Sequence, residues 1–207
     1  MVGINQSRLF ALAPRALPVY RTAFVTADFS LGPFGILENP LRCAHFLGQI
    51  LHETGGLTVT TENLNYSAER LMVVWPSRFK TLEAARDFSH NPRALANKVY
   101  GGRMGNAGPD DGWRYIGRGA LQLTGRASYL RVGTALDLDL VGFPELVLVP
   151  ENILPIAAEI WREADCNRLA DLDDLTRVSR AINGGLIGFA DRRQWLEKAR
   201  TLVEAPE

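Results

Sequence analysis

Glu53 and Glu62, nine positions apart, are carboxyl groups in unlike settings, and such a pair can serve as proton donor and proton acceptor. Glu53 ends the stretch PLRCAHFLGQILHE, just before Gly55-Gly56. The negative end of a helix dipole and a largely apolar surround both disfavour an ionised carboxyl there, which is what a general acid needs. A helix built for stability alone more often carries Lys or Arg at that place. Glu62 closes LTVTTE, a β-branched, alternating segment that predicts a short strand or extended arm. Thr58, Thr60 and Glu62 share its polar face, a hydroxyl-rich surface on which a carboxylate stays ionised. The competing reading is that both are ordinary surface glutamates.

The element that must position Glu53 is legible. Asn39 is a good N-cap and Pro40 suits the first helical position. Ala44, Leu47, Ile50 and Leu51 then recur at helical spacing beside Cys43 and Phe46, and the paired glycines end the helix. Before it, residues 1–38 predict one or two short helices (Ser7 to Leu12, Leu17 to Phe29) that cap the core. After Tyr66, Ser67 caps a helix that Pro76 stops, Thr81 caps one through Phe88, and Pro92 begins another carrying Leu95, Ala96, Val99 and Tyr100. The last third predicts helices from Pro150 to Ala164, with Pro155 tolerable near its start, from Asp173-Asp174 to Ile182, and from about Phe189 to Val203. Gly184-Gly185 close the middle one, leaving Asn183 at its exposed end as a C-cap.

Between these helices lies a stretch of another kind, YGGRMGNAGPDDGWRYIGRGALQLTGR. Seven glycines precede Gln122, among Arg103, Arg114, Arg118, Trp113 and Tyr115. That is too irregular for a helix and long for a connector. No buried strand precedes it, so phosphate binding of the GxGxxG kind fits poorly. Glycines that admit a ligand to the backbone, with aromatic rings to stack on, suit a carbohydrate cleft better. Gln122 and Thr124 point the same way, opposite Leu121 and Leu123, and could hold an N-acetyl group or a water. They could equally satisfy loop backbone.

The 207 residues allow one domain with a real core, and the formal charge is zero, so no global field argues for nucleic acid or a membrane surface. Residues 75–131 are mainly basic and 137–174 mainly acidic, a pattern a solvated face explains. Cys43 and Cys166 are distant in sequence and read as buried free thiols, though the sequence leaves their pairing open. LFALAPRAL is broken by Pro14 and Arg15 before it resembles a signal peptide, and no run is long enough to span a membrane. The expectation is a soluble protein without its own export route.

HETGG (52–56), ENLNYSAERL (62–71), the run from Val99 to Tyr129 and AINGG (181–185) together resemble glycoside hydrolase family 19, in particular its compact bacteriophage endolysins and chitinase-like bacterial members. The likeness covers roughly residues 35 to 200. It implies a mainly α, lysozyme-like fold of two helical lobes around a substrate cleft, with a short β-arm. Positions 1–207 would form one catalytic domain without a separate cell-wall-binding domain. The resemblance places Glu53 as general acid and Glu62 as the base that activates water. Gln122 and Thr124 would line the cleft, Asn183 would contact the attacking water or the N-acetyl group, Arg192 would support the acid–base pair, and Tyr66 would be a substrate-side aromatic. The family mechanism inverts, which requires a gap of roughly 6.5–9.5 Å between the carboxyls.

Plant chitinases of the family carry the base in a longer insert, with further loops and disulfides. The short arm and few cysteines here favour the peptidoglycan-cleaving branch. The implied activity is that of an endolysin or lysozyme cutting β-1,4 bonds of the peptidoglycan glycan strand, with chitinase as the alternative. It needs no cofactor and no metal. The implied protein is a monomer without nucleic-acid or stable membrane partners. It is held in the host cytoplasm and reaches the wall through a lesion made by a separate membrane-permeabilising protein. A zinc peptidase is disfavoured because Gly56 stands where HExxH needs its second His. A non-catalytic wall-binding module is the third class, in which Glu53 would be dispensable.

Overall fold

The computed structural model describes residues 1–204. In chain order the described residues form α1 (Gln6–Leu12), α2 (Pro18–Val25), α3 (Ala27–Leu31), α4 (Pro40–Glu53), α5 (Ala68–Val74), α6 (Leu82–Arg86), α7 (Pro92–Tyr100), α8 (Asp111–Arg114), α9 (Arg126–Leu136), α10 (Pro150–Glu163), α11 (Cys166–Asp171), α12 (Leu175–Asn183) and α13 (Phe189–Arg200). A two-residue antiparallel pair, β1 (Gly3–Ile4) with β2 (Val203–Glu204), ties the two ends of the described chain together. The caps expected from the sequence are in place: Asn39, Ser67 and Thr81 each accept a backbone N–H with their side-chain oxygen. Asp174 does the same for α12, and Gly184 ends that helix in the left-handed conformation.

The main core gathers α1 to α4, α10, α11 and α13 around Phe24, Phe46, Leu47, Ile50 and Trp161. Leu64, Leu71, Phe79, Leu95, Val99 and Ile116 make a second core, the smaller helical lobe. A third cluster, with Tyr115, Tyr129, Val132, Val147 and Ile156, joins α9 to α10. α4 runs through the main core, and every residue from Cys43 to Leu51 is buried. Both cysteines are free, and burial pushes each thiol up to about 12. α13 lies closest against α4: a Cβ on Gly48 would come within 3.0 Å of the Leu196 Cα.

Three expectations need correction. The predicted arm from Leu57 is mostly turn. Gly55, Gly56 and Leu57 all have positive φ, and the Thr54 hydroxyl accepts the Leu57 N–H, so the chain curls back onto α4. Thr58 belongs to that turn and does not share a strand face with Glu62. Pairing begins at Thr61, which bridges Arg118; Arg118 in turn bridges Leu123. The glycine-rich run is irregular as expected but encloses the single turn of α8. The last helix stops at Arg200, because Val203 is drawn into the pair with β1.

Candidate active site

Glu53 is the final residue of α4, where the glycine turn was expected to leave it. Its surround is not the apolar one the sequence suggests. Arg192 of α13, 1% exposed, donates from Nη2 to Glu53 Oε1 and from Nη1 to Gln49 Oε1. Gln49 and Glu53 stand four residues apart on one face of α4, so a single guanidinium reaches both. The close α4–α13 seam at Gly48 is what brings Arg192 there. Next to this pair, His52 of α4 meets Asp191 of α13 at 2.5 Å. Consecutive residues on one helix thus clasp consecutive residues on the other.

Glu62 is also held, and by different groups. Its Oε2 accepts the Tyr100 hydroxyl at 2.7 Å and its Oε1 accepts the Gly117 N–H at 2.6 Å. It is half-buried, and the hydroxyl beside it is the tyrosine's, where an exposed threonine face was expected. Burial pushes the Tyr100 hydroxyl above the ordinary tyrosine value, with further upward push from Glu62 and a smaller one from Tyr66. Gln122 and Thr124 join this group. A Cβ placed on Gly117 would lie 3.0 Å from Thr124 Oγ1, 3.1 Å from Gln122 Nε2 and 3.2 Å from Glu62 Oε1. A side chain at 117 would crowd all three polar groups, which converge over the glycine. Gln122 points there from a tight turn with φ 51° while Leu121 and Leu123 are buried behind it, so the expected sidedness survives without a regular strand.

The span between the two carboxyls is pinned throughout. Leu17 N–H donates to Leu57 O, Tyr20 OH to Val59 O at 2.7 Å, and Gly119 N–H to Thr60 O. Glu62 N–H then donates to Gly117 O. Both carboxyls are therefore fixed to the main core through short, hydrogen-bonded steps.

Tyr66 stands beside this second group, its ring edge-on to Trp75 with centroids 5.3 Å apart. Asn183 is the last residue of α12 and exposed; the C-cap position expected for it is taken by Gly184, and among the described residues no hydrogen bond joins Asn183 to Glu53 or Glu62. Sequence reasoning missed Gln49, Tyr100 and Gly117. The i, i+4 spacing to Glu53 was a usable signal for Gln49. Tyr100 ends a helix before two glycines, as Glu53 does, but its helical spacing assigns it to an apolar side. The three histidines sit apart, on Asp173, Asp191 and Asn65.

A protein of Haemophilus influenzae described as containing a glycosyl hydrolase family 19 domain is 34% identical over 161 residues, 74% of this chain and 76% of its own. Chitinase 8 of Oryza sativa subsp. japonica is 47% identical over 47 residues, 23% of this chain and 18% of its own. Among solved structures, chitinase C of Streptomyces griseus superposes with a TM-score of 0.67 at 18% identity, covering 96% of this chain and 91% of the other. A bacterial family 19 chitinase described as differing from the plant enzymes gives 0.63 at 20% identity, covering 96% and 94%. At such identities these likenesses speak to the fold. No family model matches the chain.

Proposed function

The chain belongs to glycoside hydrolase family 19, and from that premise we propose that it is an endolysin-type lysozyme cutting β-1,4 bonds in the glycan strand of peptidoglycan. It is a glycoside hydrolase with a mainly helical, lysozyme-like fold. In the proposed reaction the Glu53 carboxyl gives its proton to the departing glycosidic oxygen as the bond to the anomeric carbon breaks. A water attacks that carbon from the opposite face and passes a proton to Glu62, so configuration inverts. Arg192 keeps the carboxyl aimed. Gln122, Thr124 and Asn183 hold the water and the acetamido group, and Tyr66 offers its ring to a sugar.

The observation that carries this reading is the pair of half-buried carboxyls, each gripped by dedicated donors, at the two ends of one pinned segment. Peptidoglycan is favoured over chitin by the short connection between them and by the two free, buried cysteines. The second reading, chitinase, rests on the names of the similar enzymes. We take the chain as one catalytic domain that acts as a monomer after release through a separately made membrane lesion. Among the described residues no helix is long and apolar enough to cross a membrane.

Purified protein should release products ending in reducing N-acetylmuramic acid from peptidoglycan and cut chitin oligosaccharides far more slowly. The reverse preference would establish the chitinase reading. Glu53→Gln should lower turnover by about 10²–10⁴-fold with unchanged circular dichroism. Full activity in that variant would leave only a binding module.

A further inference from the structure

The interior of the α4–α13 seam holds a polar residue that the proposed reaction does not use. Gln49 is fully buried, one helical turn before Glu53 on the same face. Its Oε1 accepts from Arg192 Nη1, while Arg192 Nη2 donates to Glu53 Oε1. Gln49 Nε2 and Arg192 Nε have no hydrogen-bond partner among the described residues. The two carbonyl-type oxygens, one neutral and one acidic, are therefore what orients the guanidinium. A buried amide left half-paired costs stability, and Met would fill the same seam without that cost. What Gln49 supplies that an apolar side chain cannot is an acceptor for Arg192.

We infer that Gln49 is a positioning residue for the reaction: it orients the Arg192 guanidinium and, through it, the Glu53 carboxyl, and its neutrality leaves Arg192 a single carboxylate to serve. This rests on the reading of Glu53 as the acid. The other charged groups along α4 are already paired. His52 is with Asp191 of α13, and His45 is with Asp173, which also binds Arg200 of α13. Arg42 is with Asp171 of α11 at the far end, and Asp174 is with Arg177 at the start of α12. Glu62 belongs to the neighbouring group, on Tyr100 and Gly117.

Two variants test the inference on whichever glycan the wild type cuts, with kcat and KM measured from pH 4 to 9 beside wild type and Glu53→Gln. Gln49→Met keeps the bulk and removes the acceptor; it should lower kcat about ten-fold or more and leave KM within about three-fold. Gln49→Glu keeps the acceptor and adds a charge. Two carboxylates on one guanidinium hold a shared proton more tightly, so the alkaline limb of the profile should rise by about one pH unit or more. If Gln49→Met does not fold, Gln49→Glu decides alone. An unmoved limb in Gln49→Glu overturns the inference, whatever Gln49→Met does. If Glu53→Gln is inactive at the same time, only the role of Gln49 falls. An active Glu53→Gln overturns the reading of Glu53 itself.

Discussion

Tyr100 is the residue through which the proposed base, Glu62, can be tested without touching it. Its hydroxyl is one of two donors on the Glu62 carboxylate among the described residues, at 2.7 Å, and the other is the backbone N–H of Gly117. A hydrogen bond to a charged group is worth about 1.5–3 kcal/mol. Tyr100→Phe should therefore lower kcat/KM by roughly 10- to 100-fold while the ring keeps its place in the smaller lobe. Steady-state kinetics with a melting curve as control would check this, and a variant as fast as wild type would show that the hydroxyl merely fills space. At this scale local setting displayed the two glutamates but not their partners: Arg192 was named only through the family resemblance, and Tyr100 was not named at all. Glu53 and Glu62 stand out by local setting, helix end and polar segment. Arg192 is 139 positions from Glu53 and Tyr100 is 38 from Glu62, distances across which periodicity carries no information.

Among the elements, α4 and its seam with α13 decide the geometry of Glu53, the proposed acid. Gly48 and Leu196 touch where the helices come nearest, one position from Gln49 on α4 and four from Arg192 on α13. A methyl group there meets backbone atoms at 3.0–3.2 Å, so the helices must part. Gly48→Ala should cost about 1–3 kcal/mol by overpacking and should also slow turnover, because the guanidinium moves with α13. Urea denaturation and an activity assay would check both. A destabilised but fully active variant would detach the seam from the site. Helix existence was legible wherever caps and spacing agreed, as for Asn39–Pro40 and Asp174. The arm was not, because Leu57 in the left-handed region is a choice made by the Thr54 hydroxyl and the packing of Leu57 into the core, against the β propensity of the Thr58-Val59-Thr60 run that follows.

For the whole molecule, pH acts first through His45. Burial lowers its proton affinity and outweighs the opposing pull of Asp173, so the native state keeps it neutral. The unfolded chain binds that proton below about 6.5. Stability from this group is therefore complete above that value and declines as pH falls toward the lowered native one. Melting temperature should drop between pH 6.5 and 5 in wild type and much less in His45→Gln. Equal slopes would place the sensitivity elsewhere. The carboxylates held low by arginine, Asp171 with Arg42 and Asp110 with Arg93, lose their contribution only at more acid pH. The two-lobed helical plan was readable because its helices are capped locally and the resemblance spans most of the chain. The anomeric configuration of the first product tests the acid–base account most directly. Proton NMR of a soluble glycan during early turnover should show the α anomer at the new reducing end, as a water delivered opposite the departing oxygen requires. Initial appearance of the β anomer would contradict Glu62 acting through water.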